Sequence, residues 1–226
     1  MTALLGHINL AHTFRGGERQ TEILVRGLAA HLPWQRAVVR AGRPLAKRLA
    51  GIANVEVVAV KGRLGAVRAI RGCTLVHAHE TGGAQAALLR HMLSSTPYVI
   101  TRRVDKLPKA DPFTRAMYRR AAAIAGLSSA VVRCLQRYDG ALRPRRIPSA
   151  ASGIASDPGW VDAFRARFPG KVLVGHVAAL DIEHKGQLTL VEAAALLEHA
   201  LPQVHFVVVG SGRDEARLRP EPTTTK

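Results

Sequence analysis

Short apolar runs of strand length alternate with longer amphipathic runs along most of this chain, and no other feature narrows its fold as much. Residues 4–11 read as a strand. The pair Gly16 and Gly17 then opens a helical stretch to about residue 32, where Ile23, Leu24, Leu28 and Leu32 recur on one face. Strand-like runs follow at 36–40, 55–60, 74–79, 98–101 and 123–127, separated by helical runs at 64–71, 83–93, 112–122 and 130–137. Each crossover helix must bury its apolar stripe against the sheet, so this grammar predicts parallel strands covered on both faces. The expected fold class is α/β, with a parallel sheet covered on both faces in an N-terminal domain over residues 1–150.

After Arg143 the texture changes. The stretch RPRRIPSAASGIASDPG is rich in Pro, Ser and Gly, which predicts a linker over 151–170. A strand at 171–180, a helix at 188–200 and a strand at 204–210 follow, the helix carrying Leu190, Val191, Ala194, Leu197 and Leu201 on one face. A doubly wound domain takes about five or six strands, and a domain is typically ~100–150 residues. Residues 171–226 are therefore expected to be the start of a second α/β domain, incomplete in this chain.

Composition excludes several classes. With 47% hydrophobic residues the chain can bury a core and is not disordered; with 4% aromatics that core must be aliphatic and alanine-rich. No run approaches the ~20 apolar residues of a membrane span, and the N-terminus lacks the pattern of a signal peptide. Cys73 and Cys134 lie far apart and match no metal or redox spacing, so a reducing cytoplasm is the simplest compartment. The net charge of +17 is unevenly spread: residues 102–146 hold twelve basic side chains against Asp105, Asp111 and Asp139, a local +9. Such a surface suits nucleic acid or an anionic membrane. Nucleic acid is the poorer fit, since the segment shows no recognition motif and only Phe113, Tyr118 and Tyr138 as aromatics. Arginine-biased codon usage is a third source of the charge.

Four places carry candidate chemistry. Gly16 and Gly17, between a strand and a helix, let the backbone approach a ligand where free helix amides favour an anion; a plain tight turn is the simpler reading. VHAHE puts His77 and His79 on one face of a strand end, the edge where ligands of parallel sheets bind. A metal there would need a third ligand, which no HExxH or CxxC supplies, so no metal is expected. Lys185 and Gly186 precede a helix start and suit a phosphate, and Gly210 and Gly212 repeat the strand, glycine turn, helix order.

Taken in order, GGERQT, VHAHE, the serine turn LSSAVV at Ser128, IPSAASGI, GHVAALDIEHKGQ and FVVVGSGRDEARL resemble the retaining GT-B glycosyltransferases of the sugar-nucleotide-dependent group 1 family. That family often builds lipopolysaccharide and other envelope glycans. The resemblance implies two Rossmann-like domains facing across a cleft, the acceptor held by the first and the nucleotide-sugar donor by the second. It implies that Gly16 and Gly17 lie near the donor phosphates and acceptor; Arg102 and Arg103, which also follow a predicted strand, are expected at the same sheet edge, where a substrate would bind. His79 and Glu80 match the family's catalytic HxHE position, where the histidine contacts the transferred sugar. Lys185, Gly186, Gly210 and Gly212 match its donor-phosphate loops. No cofactor or metal is implied; the partners are a nucleotide sugar and a glycan or glycolipid acceptor, met in the cytoplasm on the inner face of the membrane.

Two departures accompany the resemblance. Ala179 stands where the family commonly has an arginine, and the chain ends before the family's ExxxxxxxE segment, whose glutamates bind the donor sugar and ribose. This form is accordingly expected to hold the acceptor domain and a fragment of the donor domain, with activity in doubt. Two other classes stay open: a non-catalytic basic protein on anionic membrane, and a nucleic-acid-binding protein.

Overall fold

The computed structural model describes residues 4–151 and 153–219. Two compact units divide at residues 153 and 154, inside the stretch expected to be a linker.

In the first unit, seven parallel strands form one sheet. They are β1 (Leu5–Asn9), β2 (Gln35–Arg40), β3 (Val55–Val60), β4 (Leu75–Ala78), β5 (Tyr98–Arg102), β6 (Ala123–Gly126) and β7 (Arg145–Arg146). Their order is β3-β2-β1-β4-β5-β6-β7, with the switch point between β1 and β4. The helices between them are α1 (Gly16–Leu28), α2 (Pro44–Leu49), α3 (Arg63–Ala69), α4 (Thr81–Ser94), α5 (Pro112–Arg119) and α6 (Ser129–Tyr138).

Strand alternation sorts the core into two layers. On one face Ile8, Val38, Val76, Ala78, Ile100 and Ile124 pack against α3 to α6 through Ala66, Ile70, Leu88, Met117, Val131 and Leu135. On the other, Ala37 and Val39 meet Val25 of α1 and Leu45 and Leu49 of α2. These two helices cover β1 to β3 and stop there. Val99, Thr101, Ala123 and Ala125 continue the second face and line a cavity of about 690 Å³ between α1 and residues 147–150. Gln20 of α1 closes one side, its amide donating to the Ala150 carbonyl at 2.8 Å and accepting from the Ala150 N–H at 2.9 Å.

The second unit holds the parallel pair β8 (Val172–Val177) and β9 (Val204–Val209) with α7 (Pro158–Ala166), α8 (Ile182–Lys185), α9 (Gln187–Leu197) and α10 (Glu215–Leu218). The expected strand–helix–strand unit is present. The expected linker is in part a helix. Asp157 caps α7 by accepting from the Trp160 N–H at 3.2 Å, and Pro158 occupies the first turn, where its missing N–H costs nothing. Trp160, Phe164, Phe168 and His205 form a ladder of rings 4.6–5.4 Å apart that joins α7 to β9.

Candidate functional site

Polar side chains crowd the second face of the sheet just at the switch point. His7 on β1 pairs in register with His77 on β4, and alternation brings His79 onto the same face two residues later. His7 and His79 are 1% and 3% exposed. Three imidazoles at the centre of a sheet are costly unless neutral and hydrogen-bonded. They are both. His7 Nδ1 lies 3.1 Å from His79 Nε2, and His7 Nε2 lies 3.0 Å from Gln35 Oε1. Gln35 in turn donates to the Val25 carbonyl at 3.0 Å, and His77 Nε2 meets Thr101 Oγ1 at 2.7 Å. Burial pushes the His7 pKa down to about 4 and that of His77 to about 3, and holds His79 well below the usual histidine range.

A second chain of bonds ties the start of α1 to the same strand end. Asn9 Nδ2 donates to Thr21 Oγ1 at 2.9 Å, and that hydroxyl donates to the Gly17 carbonyl at 3.1 Å. Glu18 accepts from the Arg15 N–H at 2.9 Å, which fixes the first turn. Arg103, just past β5, lies across Gly17: a methyl group there would sit 3.5 Å from Arg103 Cδ. Its guanidinium reaches 3.5 Å from His79 Nδ1, its Nε is buried without a protein partner, and burial lowers its pKa against the pull of Glu18. Gly17, His79 and Arg103 thus meet at the carboxyl edge of the sheet, the edge where open α/β sheets bind ligands. Gly16 begins the same helix, with open space where a side chain would stand.

Two residues expected at this edge have other work. Arg102 turns away, donating to the Tyr118 hydroxyl at 2.9 Å and to the Lys106 carbonyl. Glu80, expected to be catalytic, is the N-cap of α4. Its carboxylate accepts from the N–H groups of Gly82 and Gly83, each at 2.5 Å, and from that of Leu10 at 3.1 Å. With both oxygens so engaged it joins α4 to β1. Conversely, His7, Gln35, Asn9 and Thr21 were missed from sequence. A strand that breaks its apolar alternation with a histidine and an asparagine was the available signal.

In the second unit, Lys185 is exposed at the end of α8, and its carbonyl lies 3.0 Å from His176 Nε2. Gly186 has φ +70°, a left-handed conformation that glycine adopts without strain, and both ends α8 and begins α9. Gly210 and Gly212 are required by packing, since a side chain at either would collide with the carbonyl of Ala178 or Leu180 in the loop after β8. They let two strand ends approach closely; a phosphate role would be additional.

Two groups among the described residues have the number of ligands a metal needs. In His7, His77 and His79, the third ligand absent from the local sequence is supplied in space by β1. The nitrogens of His7 and His79 already share a proton, however, the group itself holds no carboxylate to offset a cation, and Arg103 adds positive charge. In Asp181, Glu183 and His184 the carboxylates hold Arg213 at 2.9 and 2.7 Å. Both groups are thus explained by the contacts they make with neighbouring side chains.

No protein-family model and no curated protein matches this chain. Solved structures do. The HepE protein of Anabaena, in complex with UDP and glucose, superposes with a TM-score of 0.71 at 16% identity, over 96% of this chain and 63% of its own. A UDP-N-acetylglucosamine 2-epimerase assigned in Listeria monocytogenes gives 0.58 at 11% identity, over 92% and 62%. The lipopolysaccharide outer core galactosyltransferase WaaB gives 0.58 at 10% identity, over 95% and 62%. At these identities the likeness establishes the fold, a Rossmann-like α/β architecture of the GT-B kind. The chain spans about 63% of the length of HepE.

Proposed function

We propose that this chain forms the acceptor-side domain and the first part of the donor-side domain of a retaining glycosyltransferase. Its donor would be a nucleotide sugar and its acceptor a lipopolysaccharide or other envelope glycan. The observation that carries this reading is the meeting of Gly17, His79 and Arg103 at one sheet edge, although they are far apart in sequence. Departure of a nucleoside diphosphate builds negative charge, which a cation and helix N-terminal amides offset without a metal. Lys185 and Gly186 supply the corresponding cation and turn on the donor side. HepE was solved with UDP and with UDP-glucose, which supports a uridine diphosphate sugar as donor. The kinship in fold with WaaB supports the envelope acceptor. Such acceptors are built on the cytoplasmic side of the membrane. There the exposed basic segment around Lys106, Lys109 and Arg115 would meet anionic lipid without a span, as no described helix is long and apolar enough to cross a bilayer.

The Listeria neighbour gives a second reading, epimerisation of the sugar while it stays on the nucleotide. One experiment separates the two. UDP-glucose, UDP-galactose and UDP-N-acetylglucosamine are incubated with the full chain, with and without lipopolysaccharide acceptors, and the products resolved by NMR. Acceptor-dependent glycoside formation with the donor's anomeric configuration kept, reduced at least about tenfold by Lys185→Ala, is expected, a tenfold loss being the weight of one charge-assisted contact. Inversion, or epimerisation without acceptor, overturns the proposal.

A further inference from the structure

We infer that Gln35 and His7 are positioning residues that fix the ring proton of His79 on Nε2, so that its Nδ1 presents a lone pair and His79 can only accept a hydrogen bond at the sheet edge. The tautomer statement is independent of the function proposed above; its extension to substrate rests on that reading.

Four contacts in series link the Val25 carbonyl to Arg103, and the direction of the first is forced. The Val25 carbonyl in α1 can only accept, so the Gln35 amide turns its Nε2 toward it, at 3.0 Å. Gln35 Oε1 is thereby aimed at His7 Nε2, 3.0 Å away, and a carbonyl oxygen can only accept, so that nitrogen carries hydrogen. A neutral imidazole has one N–H, and burial keeps His7 neutral near pH 7. Its Nδ1 is therefore an acceptor, and His79 Nε2, 3.1 Å from it, must donate. Burial, with the like charges of His77, His7 and Arg103, keeps His79 neutral in turn, which leaves Nδ1 bare. Facing that lone pair is Arg103 Nη2 at 3.5 Å, a donor at the outer limit of hydrogen-bond length. The direction found at this end agrees with the one set four groups away.

A histidine so held cannot give a proton from the nitrogen that faces the edge. It cannot serve there as a general acid. It selects instead for a group with hydrogen to offer, a sugar hydroxyl or amide N–H, in place of the long contact from Arg103. A carbonyl, carboxylate or phosphate oxygen would meet lone pair with lone pair. Phosphate is left to Arg103 and the amides at the start of α1, which divides sugar from phosphate at this edge.

Long-range proton–nitrogen NMR of the histidine rings in the full chain at pH 7.5 tests the relay directly. His7 and His79 should both appear as single Nε2–H tautomers, each with a bare Nδ1. Gln35→Leu, which removes the acceptor for His7, should give mixed tautomers at both rings. The wild-type spectrum decides the matter even if that variant does not fold. An Nδ1–H tautomer at His79, or ligation of added Zn²⁺ by His7 and His79, overturns the inference. In the transfer assay, a donor whose hydroxyl facing His79 is replaced by fluorine, which cannot donate, should lose about 3- to 10-fold in kcat/KM, the worth of one hydrogen bond. His79→Ala should lose that discrimination. If no deoxyfluoro donor is discriminated while the tautomers stand as stated, the extension to substrate is overturned and the relay is not.

Discussion

At the residue scale, the unusual feature is three neutral imidazoles packed side by side in a sheet interior, ring centroids 4.1–5.9 Å apart. Their cost appears as acid sensitivity. A histidine in the unfolded chain titrates at about 6.5, whereas burial brings His7 to about 4 and His77 to about 3. Below the unfolded value the unfolded chain binds protons that the folded one refuses, so stability falls as pH falls. It falls until the folded pKa is reached. The slope is about 1.4 kcal/mol per pH unit for each histidine, and about 4 kcal/mol when all three contribute. Urea denaturation should therefore show stability level above pH 7 and dropping steeply between pH 6.5 and 4. His77→Gln should remove about one third of that slope. A level profile down to pH 4.5 would show that these rings are protonated in the folded protein.

At the element scale, α4 lies unusually close to β1. The Glu80 cap and the glycines after it make this possible. A methyl group at Gly83 would stand 2.9 Å from the Ile8 carbonyl and 3.1 Å from Ile8 Cγ2, both parts of the central strand. Gly83→Ala must push the helix outward, at a cost of about 1–3 kcal/mol, as overpacking usually does. Gly27, near the end of α1, has nothing within 4 Å of the same position, and Gly27→Ala should gain about 0.4–1 kcal/mol from the unfolded chain's lost freedom. Thermal denaturation of both variants checks the pair, and equal shifts would mean that helix propensity alone governs them.

At the scale of the molecule, the positive charge is concentrated on the β5–β6 side of the first unit. The chain from Arg102 to Arg120 exposes Val104, Leu107 and Phe113 beside Lys106, Lys109 and Arg115. Apolar side chains beside cations, each worth up to about 1 kcal/mol near anionic lipid, suit a reversible membrane contact screened by salt. Co-sedimentation with anionic vesicles, and none with neutral ones, is expected, with release at raised salt. Lys106→Glu, Lys109→Glu and Arg115→Glu together should weaken it more than the same change at Lys47, Lys61 and Arg68, at the opposite edge of the sheet. Equal losses would mean that only the net charge matters.

Strand and helix order, the parallel sheet and the opening of a second α/β unit were legible in the sequence, because the burial period of each element is written in neighbouring residues. The glycine pair and His79 were legible for the same local reason, each following a strand. The short helix α2 and the strand β7 were not, since their apolar runs are too brief to show a period, and α7 was not, since its start lies in a stretch rich in Pro, Ser and Gly. The capping contacts of Glu80 and the direction of Arg102 were not legible, because a motif names a residue without saying which backbone amides or hydroxyls will reach it first. His7, Gln35 and His79 become one hydrogen-bonded relay only when β1, β2 and β4 lie side by side. Residues 7, 35 and 79 carry no mutual signal along the chain; the register of three parallel strands, set by burial of the opposite face, decides that they meet and which way their protons point.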